Sequence, residues 1–340
     1  MILLSGATGL LGMHILFDLT SKGYRVRALY RDKNRIDRVR RLFSFYAPNQ
    51  WVGYWEHIEW FQADITDVIG LETAFNQVDR VIHSAAMVSF QNDNFRKLAQ
   101  INKNGTANIV NLSLKHGVSW FCHVSSTAAV GKAPGKKNLM INEEAKWMSD
   151  IPVSGYAMSK YLAELEVWRG IEEGLPAVIV NPCVILGPGD WQETSLTIFR
   201  AVDRGLKFYA PGSNAVIDVR DVSQRILFLM ENQLIDNRFL LIGENLTFKK
   251  LMGSIAKGMG KKEPHIAVKS WMMGLAWRVA AVFSFFTRKP TALTKDATTS
   301  AFSDTSYSTA KFDALFSKPY IKTEDMIDNV LRFKIWNSDQ

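Results

Sequence analysis

The stretch Ile2-Leu3-Leu4-Ser5-Gly6-Ala7-Thr8-Gly9-Leu10-Leu11-Gly12 decides how the rest of this 340-residue chain is read. Apolar residues suited to a short strand run straight into three glycines spaced three apart, and a helix-like segment opens at Leu10. In such a strand-turn-helix the glycines do separate jobs: a tight turn, close backbone approach to a pyrophosphate, and close packing of helix on strand. The helix amino terminus adds unpaired N–H groups and partial positive charge. An isolated glycine triple is weak evidence, but the strand before it and the helix after it make this a dinucleotide-phosphate loop. Gly6, Thr8, Gly9, Leu10, Leu11 and Gly12 are its expected cofactor-binding residues.

Outward from the loop, short apolar runs at 2–4, 25–30, 58–62, 81–83, 121–125 and 177–181 read as strands. Several are apolar on both sides, as in a parallel sheet covered by helices on both faces. Helix-like stretches lie between them at 10–22, 69–76, 94–116 and 155–174. This alternation predicts an α/β fold with a doubly wound parallel sheet and right-handed crossovers. After residue 181 the rhythm changes, with Pro, Gly, Trp and Ser clustered through 182–195. The expected division is a nucleotide-binding domain at 1–181 and a smaller substrate-binding lobe at 182–340, interleaved with the sheet. A last amphipathic helix is expected at 323–333.

The second strand ends at Tyr30-Arg31, nineteen residues past Gly12. An acid there holds the ribose hydroxyls of NAD, whereas an arginine suits the 2′-phosphate of NADP. Arg31 therefore favours NADP(H), with NAD as the second choice, and Arg35 and Arg38 extend the positive surface. No stacking aromatics interleave residues 31–41, so a nucleic-acid partner is not expected.

Composition removes other classes. With 47% hydrophobic and 22% charged residues the chain is globular. Its net charge of +8 attracts anionic ligands without marking a nucleic-acid binder. Cys122 and Cys183, both in apolar runs, cannot form a disulfide framework, which suits a reducing cytoplasm. Scattered histidines without HxxxH or CxxC spacing argue against a structural metal. With the loop beginning at residue 5, no signal peptide is expected. The apolar stretch 271–286 carries Arg278 and is too short for a membrane span, which needs about 20 residues.

Ser154-Gly155-Tyr156-Ala157-Met158-Ser159-Lys160 places Tyr156 and Lys160 on one helix face. An unaided phenol, with pKa about 10, is a poor acid–base group at neutral pH. A nearby ammonium and an oxidised nicotinamide are expected to lower it, so that it exchanges a proton with a carbonyl oxygen while hydride moves at carbon. Val124-Ser125-Ser126-Thr127-Ala128 supplies hydroxyls that orient the substrate oxygen. The spacing alone does not choose among them.

These motifs, in this order and over nearly the whole chain, resemble the extended short-chain dehydrogenases/reductases of the NAD-dependent epimerase/dehydratase superfamily. The likeness is to dihydroflavonol-reductase-like and 3-beta-hydroxysteroid-dehydrogenase-like members, and it implies a Rossmann sheet. By resemblance, Asp64 and Ile65 in Ala63-Asp64-Ile65-Thr66-Asp67 meet the adenine, and Ser84, Ala85 and Ala86 flank the cofactor. Asn102 in Ile101-Asn102-Lys103-Asn104-Gly105-Thr106 is structural or relays protons. Thr127 falls on the catalytic hydroxyl position and is preferred, with Ser126 the neighbouring candidate and Ser125 placed with the cofactor. Tyr156 is the acid/base, and Lys160 its electrostatic partner and ribose anchor. Pro182, Cys183 and Val184 in Asn181-Pro182-Cys183-Val184-Ile185-Leu186-Gly187-Pro188 contact the nicotinamide amide, and Ser195 adds a contact further on. Asn181 replaces a more usual arginine. Arg220 either binds a substrate phosphate or pairs with Asp218 or Asp221.

The expected activity is NADP(H)-dependent interconversion of a carbonyl and an alcohol on a small apolar or aromatic substrate. Phe199, Phe208, Tyr209, Trp271, Met272, Met273 and Trp277 are the aromatic and apolar bias behind that substrate class. A sugar-nucleotide epimerase with retained cofactor is the alternative, though Ala128-Ala129 after Thr127 departs from the acidic neighbours of a dehydratase. A cofactor-sensing regulator is the non-enzymatic alternative. The resemblance also raises a homodimer formed through 94–116 and 155–174.

Overall fold

Strand side chains alternate between the two faces of a sheet, and here both faces are apolar. Leu3, Val81, Phe121 and Ile179 pack into one buried layer with Phe75, Ile109 and Val167. Their neighbours Leu4, Ile82, Cys122 and Val178 pack into another with Leu16, Ile226 and Phe239. The computed structural model describes residues 1–89, 95–131, 140–147, 153–269, 272 and 302–338. Trp271, Met273, Trp277 and nearly all of 271–286 lie outside the described residues.

Seven parallel strands lie edge to edge in the order Asn237–Leu241, Ala177–Pro182, Trp120–Val124, Arg80–His83, Ile2–Ser5, Val26–Tyr30 and Ile58–Gln62. The chain winds outward from Ile2–Ser5 to one edge, then restarts on its other side at Arg80–His83, with Leu4 beside Ile82 and Ser5 beside His83. That reversal opens a crevice at the carboxyl ends of the strands, where ligands bind in such sheets. The expected doubly wound α/β architecture is present.

The expected single helix at 94–116 is three pieces: Phe95–Leu98, a π-helical stretch Ala99–Asn104, and Gly105–Lys115. The Thr106 hydroxyl donates to the Asn102 carbonyl at 2.5 Å, competing with the backbone ladder. Gly105 lets the segment press onto Ile65, whose Cδ1 would lie 2.6 Å from an added Cβ.

Residues 182–340 do not stay in the small lobe. The helix Val219–Glu231 packs against the helix Leu10–Ser21, and Asn237–Leu241 forms the edge of the main sheet. The lobe itself holds a three-stranded sheet, Glu244–Thr247, Ser213–Asp218 and Val184–Leu186. It is closed by Leu186, Phe199, Val216, Ile255, Ile327 and Val330. Two of the expected pocket aromatics go elsewhere: Phe199 is fully buried in this core, and Phe208 is 43% exposed. Among the described residues no helix is long and apolar enough to cross a membrane.

Candidate active site

The glycine turn is a cradle that side chains would fill. Gly6 has φ +73°, and an added Cβ would stand 2.7 Å from the Ala85 nitrogen. At Gly12 it would stand 2.0 Å from the Gly6 oxygen. Gly9 caps the helix Leu10–Ser21 without a side-chain hydrogen bond, and the first turn carries no acid. Its amide dipoles at Leu10 and Leu11 are therefore available to an anion, with Thr8 half-buried in the turn. These features fit a dinucleotide pyrophosphate.

Ser84, Ala85 and Ala86 run alongside. Ser84 N–H donates to the Ser5 carbonyl and Ala85 N–H to Ser5 Oγ. Ser5 Oγ lies 2.6 Å from His83 Nδ1, and His83 Nε2 lies 2.9 Å from the Thr106 hydroxyl. Burial pushes the His83 imidazole down to about 3, so it is neutral. Asn102 clamps the next residue: Oδ1 accepts from Met87 N–H at 2.7 Å, while Nδ2 donates to the Met87 carbonyl and to Ser159 Oγ. The Ser159 hydroxyl also donates to the Tyr156 carbonyl. Asn102 thus ties the cofactor-side segment to the tyrosine helix.

At the far end of the crevice, Asp64 Oδ1 accepts from both the amide and the hydroxyl of Thr66, and Oδ2 lies 3.8 Å from Arg31. These hydrogen bonds and Arg31 outweigh burial and hold the Asp64 carboxyl below the ordinary range. The Ile65 carbonyl accepts from Asn108. Arg35 does not stand free: it pairs with Glu193 at 3.0 Å.

The helix Gly155–Glu172 starts at Ser154, whose hydroxyl accepts from Ala157 N–H at 3.1 Å. It presents Tyr156 and, one turn on, the buried Lys160. Lys160 Nζ donates to the Val124 carbonyl at 2.8 Å. Burial lowers its ammonium to about 8, with Glu164 pulling it back up. The expected depression of the phenol is not found in the chain itself. Burial raises Tyr156, and a hydrogen bond with Ser126 opposes it.

The hydroxyls at the end of the strand Trp120–Val124 divide their tasks. Ser126 engages Tyr156, whereas Thr127, the preferred candidate from sequence, engages Tyr307. Ser125 Oγ donates to Glu164 Oε2 at 2.8 Å. Glu164 is the residue that the motif reading passed over, although it continues the four-residue spacing from Tyr156 and Lys160. Its Oε2 also accepts from Asn181 Nδ2 at 2.8 Å, and its Oε1 accepts from Arg238 at 3.1 Å. Asn181 Nδ2 reaches the Ser126 carbonyl as well. This buried carboxylate therefore joins the lysine, the hydroxyl strand and the last two strands of the sheet. Tyr307, likewise unforeseen, is buried, with its backbone N–H and carbonyl both bound by the Asn245 amide.

Pro182 lies beside Leu241, and Cys183 N–H donates to the Leu241 carbonyl. Burial pushes the Cys183 thiol up to about 12, so it is not a nucleophile at neutral pH. Val184 and Ser195 line a small apolar cavity of about 70 Å³ in the small lobe with Leu186, Val216, Leu246 and Leu251. The Ser195 hydroxyl donates to the Ile185 carbonyl. Arg220 forms a two-point ion pair with buried Asp218.

The chain belongs to the NAD dependent epimerase/dehydratase family, whose model matches residues 2–243. Sterol demethylase protein B of Methylococcus capsulatus is 27% identical over 273 residues, covering 80% of this chain and 78% of that one. Dihydroflavonol 4-reductase of Arabidopsis thaliana is 25% identical over 286 residues, covering 80% of this chain and 72% of that one. The crystal structure of gox2253 matches with a TM-score of 0.81 at 24% identity, over 99% of this chain and 98% of that one.

Proposed function

We propose that this chain is an NAD(P)(H)-dependent oxidoreductase that interconverts a carbonyl and an alcohol on an apolar substrate, with NADP(H) favoured. The reading rests chiefly on Tyr156, Lys160 and Ser126 meeting at the strand end next to the glycine cradle. Gly6, Gly9 and the amides of Leu10 and Leu11 would hold the pyrophosphate, Asp64 and Ile65 the adenine, and Arg31 a 2′-phosphate. Ala85, Ala86, Pro182, Cys183 and Val184 would flank the nicotinamide, which supplies hydride chemistry when bound.

In the reducing direction Tyr156 delivers its proton to the substrate oxygen, and Ser126 holds that oxygen by donating a hydrogen bond. Its burial-raised pKa keeps the phenol protonated for this step. Lys160 stabilises the phenolate left behind, and Glu164 supports the charge on Lys160. Arg220, whose guanidinium is spent on Asp218 rather than presented to a phosphate, favours an apolar substrate over a sugar nucleotide.

Incubation with NADPH and a panel of aromatic and aliphatic ketones and aldehydes tests the proposal. Net loss of reduced-cofactor absorbance supports it. Tightly retained cofactor that epimerises a sugar nucleotide without net turnover overturns it.

A further inference from the structure

The cations placed to read a cofactor phosphate are already held by acids of the opposite lobe. Arg35 and Arg38 follow the second strand on the segments Lys33–Arg35 and Ile36–Tyr46. Glu193 Oε1 lies 3.0 Å from Arg35 and 2.9 Å from Arg38, so one oxygen faces two guanidinium groups. Asp190 Oδ2 adds a contact to Arg38 at 3.4 Å. Both acids sit in the loop that follows the strand Val184–Leu186, and Glu193 N–H donates to the Asp190 carbonyl. Thr194, the next residue, has φ +46°, a left-handed conformation that β-branched residues rarely adopt. The loop therefore carries backbone strain at the point where it presents Glu193. Arg31, the remaining cation, is 63% exposed and only loosely paired with Asp64.

We propose that Glu193 determines the cofactor preference of this chain, acting as an internal counter-ion that the 2′-phosphate of NADP must displace from Arg35 and Arg38. The inference rests on the dinucleotide-binding reading above and goes beyond it. NAD carries a free hydroxyl at that ribose position and makes no claim on the guanidinium groups, so it leaves the clasp closed. A 2′-phosphate is a stronger acceptor with more charge and can take both arginines in two-point contacts. The clasp is partly exposed and therefore weak enough to exchange. Each exchange still costs the Glu193 contacts, so the chain's selectivity for NADP is smaller than its three arginines alone would give.

Dissociation constants for NADP+ and NAD+, measured by tryptophan fluorescence quenching, test this on the wild type, Glu193→Gln and the double variant Glu193→Gln/Arg35→Met. Removing the acid should tighten NADP+ about tenfold, the equivalent of one charge-assisted contact, and leave NAD+ within about twofold. Adding Arg35→Met should abolish that gain. Equal changes for both dinucleotides, or no change in their ratio, would overturn the Glu193 assignment while leaving the dinucleotide reading intact. A wild-type chain that binds neither dinucleotide would overturn both.

Discussion

The Ser126 side chain hydrogen-bonds the Tyr156 phenol, while that of Thr127 hydrogen-bonds the Tyr307 phenol. Two adjacent hydroxyls of similar chemistry are thereby given different work. Ser126 accepts from Ala128 N–H at 3.1 Å, which fixes its oxygen at the strand end. Ser126→Ala should then lower kcat about a hundredfold, as loss of one donor to a developing oxyanion does. Thr127→Ala should cost far less. Steady-state kinetics of the two variants side by side settle the order.

In the proposed mechanism Lys160 and Glu164 set the alkaline limit of activity. The Lys160 ammonium, lowered to about 8 from 10.5, is charged below pH 8 and loses its proton above it. Glu164→Gln removes the charge that opposes burial, so the alkaline limb of kcat/KM should move about one unit toward neutrality. In the same window the unfolded chain binds the proton that the folded one has shed. This group's contribution to stability therefore rises as pH climbs from 8 to 10.5. A pH–rate profile that the substitution leaves in place would contradict the role given to Glu164.

The glycine cradle makes a graded prediction. Gly12→Ala drives a Cβ to 2.0 Å from a backbone oxygen that has no room to retreat, whereas at Gly9 the same oxygen is 3.3 Å away. The first change should cost about 2 kcal/mol or more in urea unfolding and weaken dinucleotide binding; the second should cost less. Equal effects at the two positions would show that the turn is not as tight as described.

Acid weakens the fold through buried imidazoles. His83, at about 3, and His14, at about 4, are both lowered by burial, and His123 lies well below its ordinary value. Between their unfolded value of 6.5 and these lower ones the unfolded chain binds more protons, so stability falls as pH drops. Asp18, raised to about 6 by burial, and Asp221, also raised by burial, oppose this but are outnumbered by the three histidines. Urea midpoints should decline steadily from pH 7 to pH 4. A flat profile would contradict the neutral assignment of these rings.

How much of this is legible in the sequence depends on the range of the interactions. The glycine turn and the Tyr156–Lys160 spacing are local, because a phosphate cradle and a shared helix face demand particular residues a few positions apart. The edge strand Asn237–Leu241 is not legible in the same way. It opens with Asn237 and Arg238, and only Phe239, Leu240 and Leu241 are buried, so its pairing with Ala177–Pro182 is decided by the sheet. Glu164 does carry a signal in its spacing. A glutamate on a helix nevertheless reads as solvated until Asn181 and Arg238 close on it from distant strands. Arg35 reads as a cation that follows the second strand, but Glu193, 158 residues away in sequence, is visible only in the fold. Tyr307 sits on a two-residue strand, Ser306–Tyr307, with no motif around it.

In the proposed reaction hydride passes between a dinucleotide and a substrate carbon while Tyr156 handles the proton. Incubating the protein with NADPH deuterated at the transferring C4 position and the best carbonyl substrate, then weighing the alcohol by mass spectrometry, tests it directly. The wild type should yield an alcohol one mass unit heavier. Tyr156→Phe should slow product formation by about a thousandfold, with cofactor affinity nearly unchanged. An unlabelled alcohol, or a Tyr156→Phe variant as fast as the wild type, would contradict it.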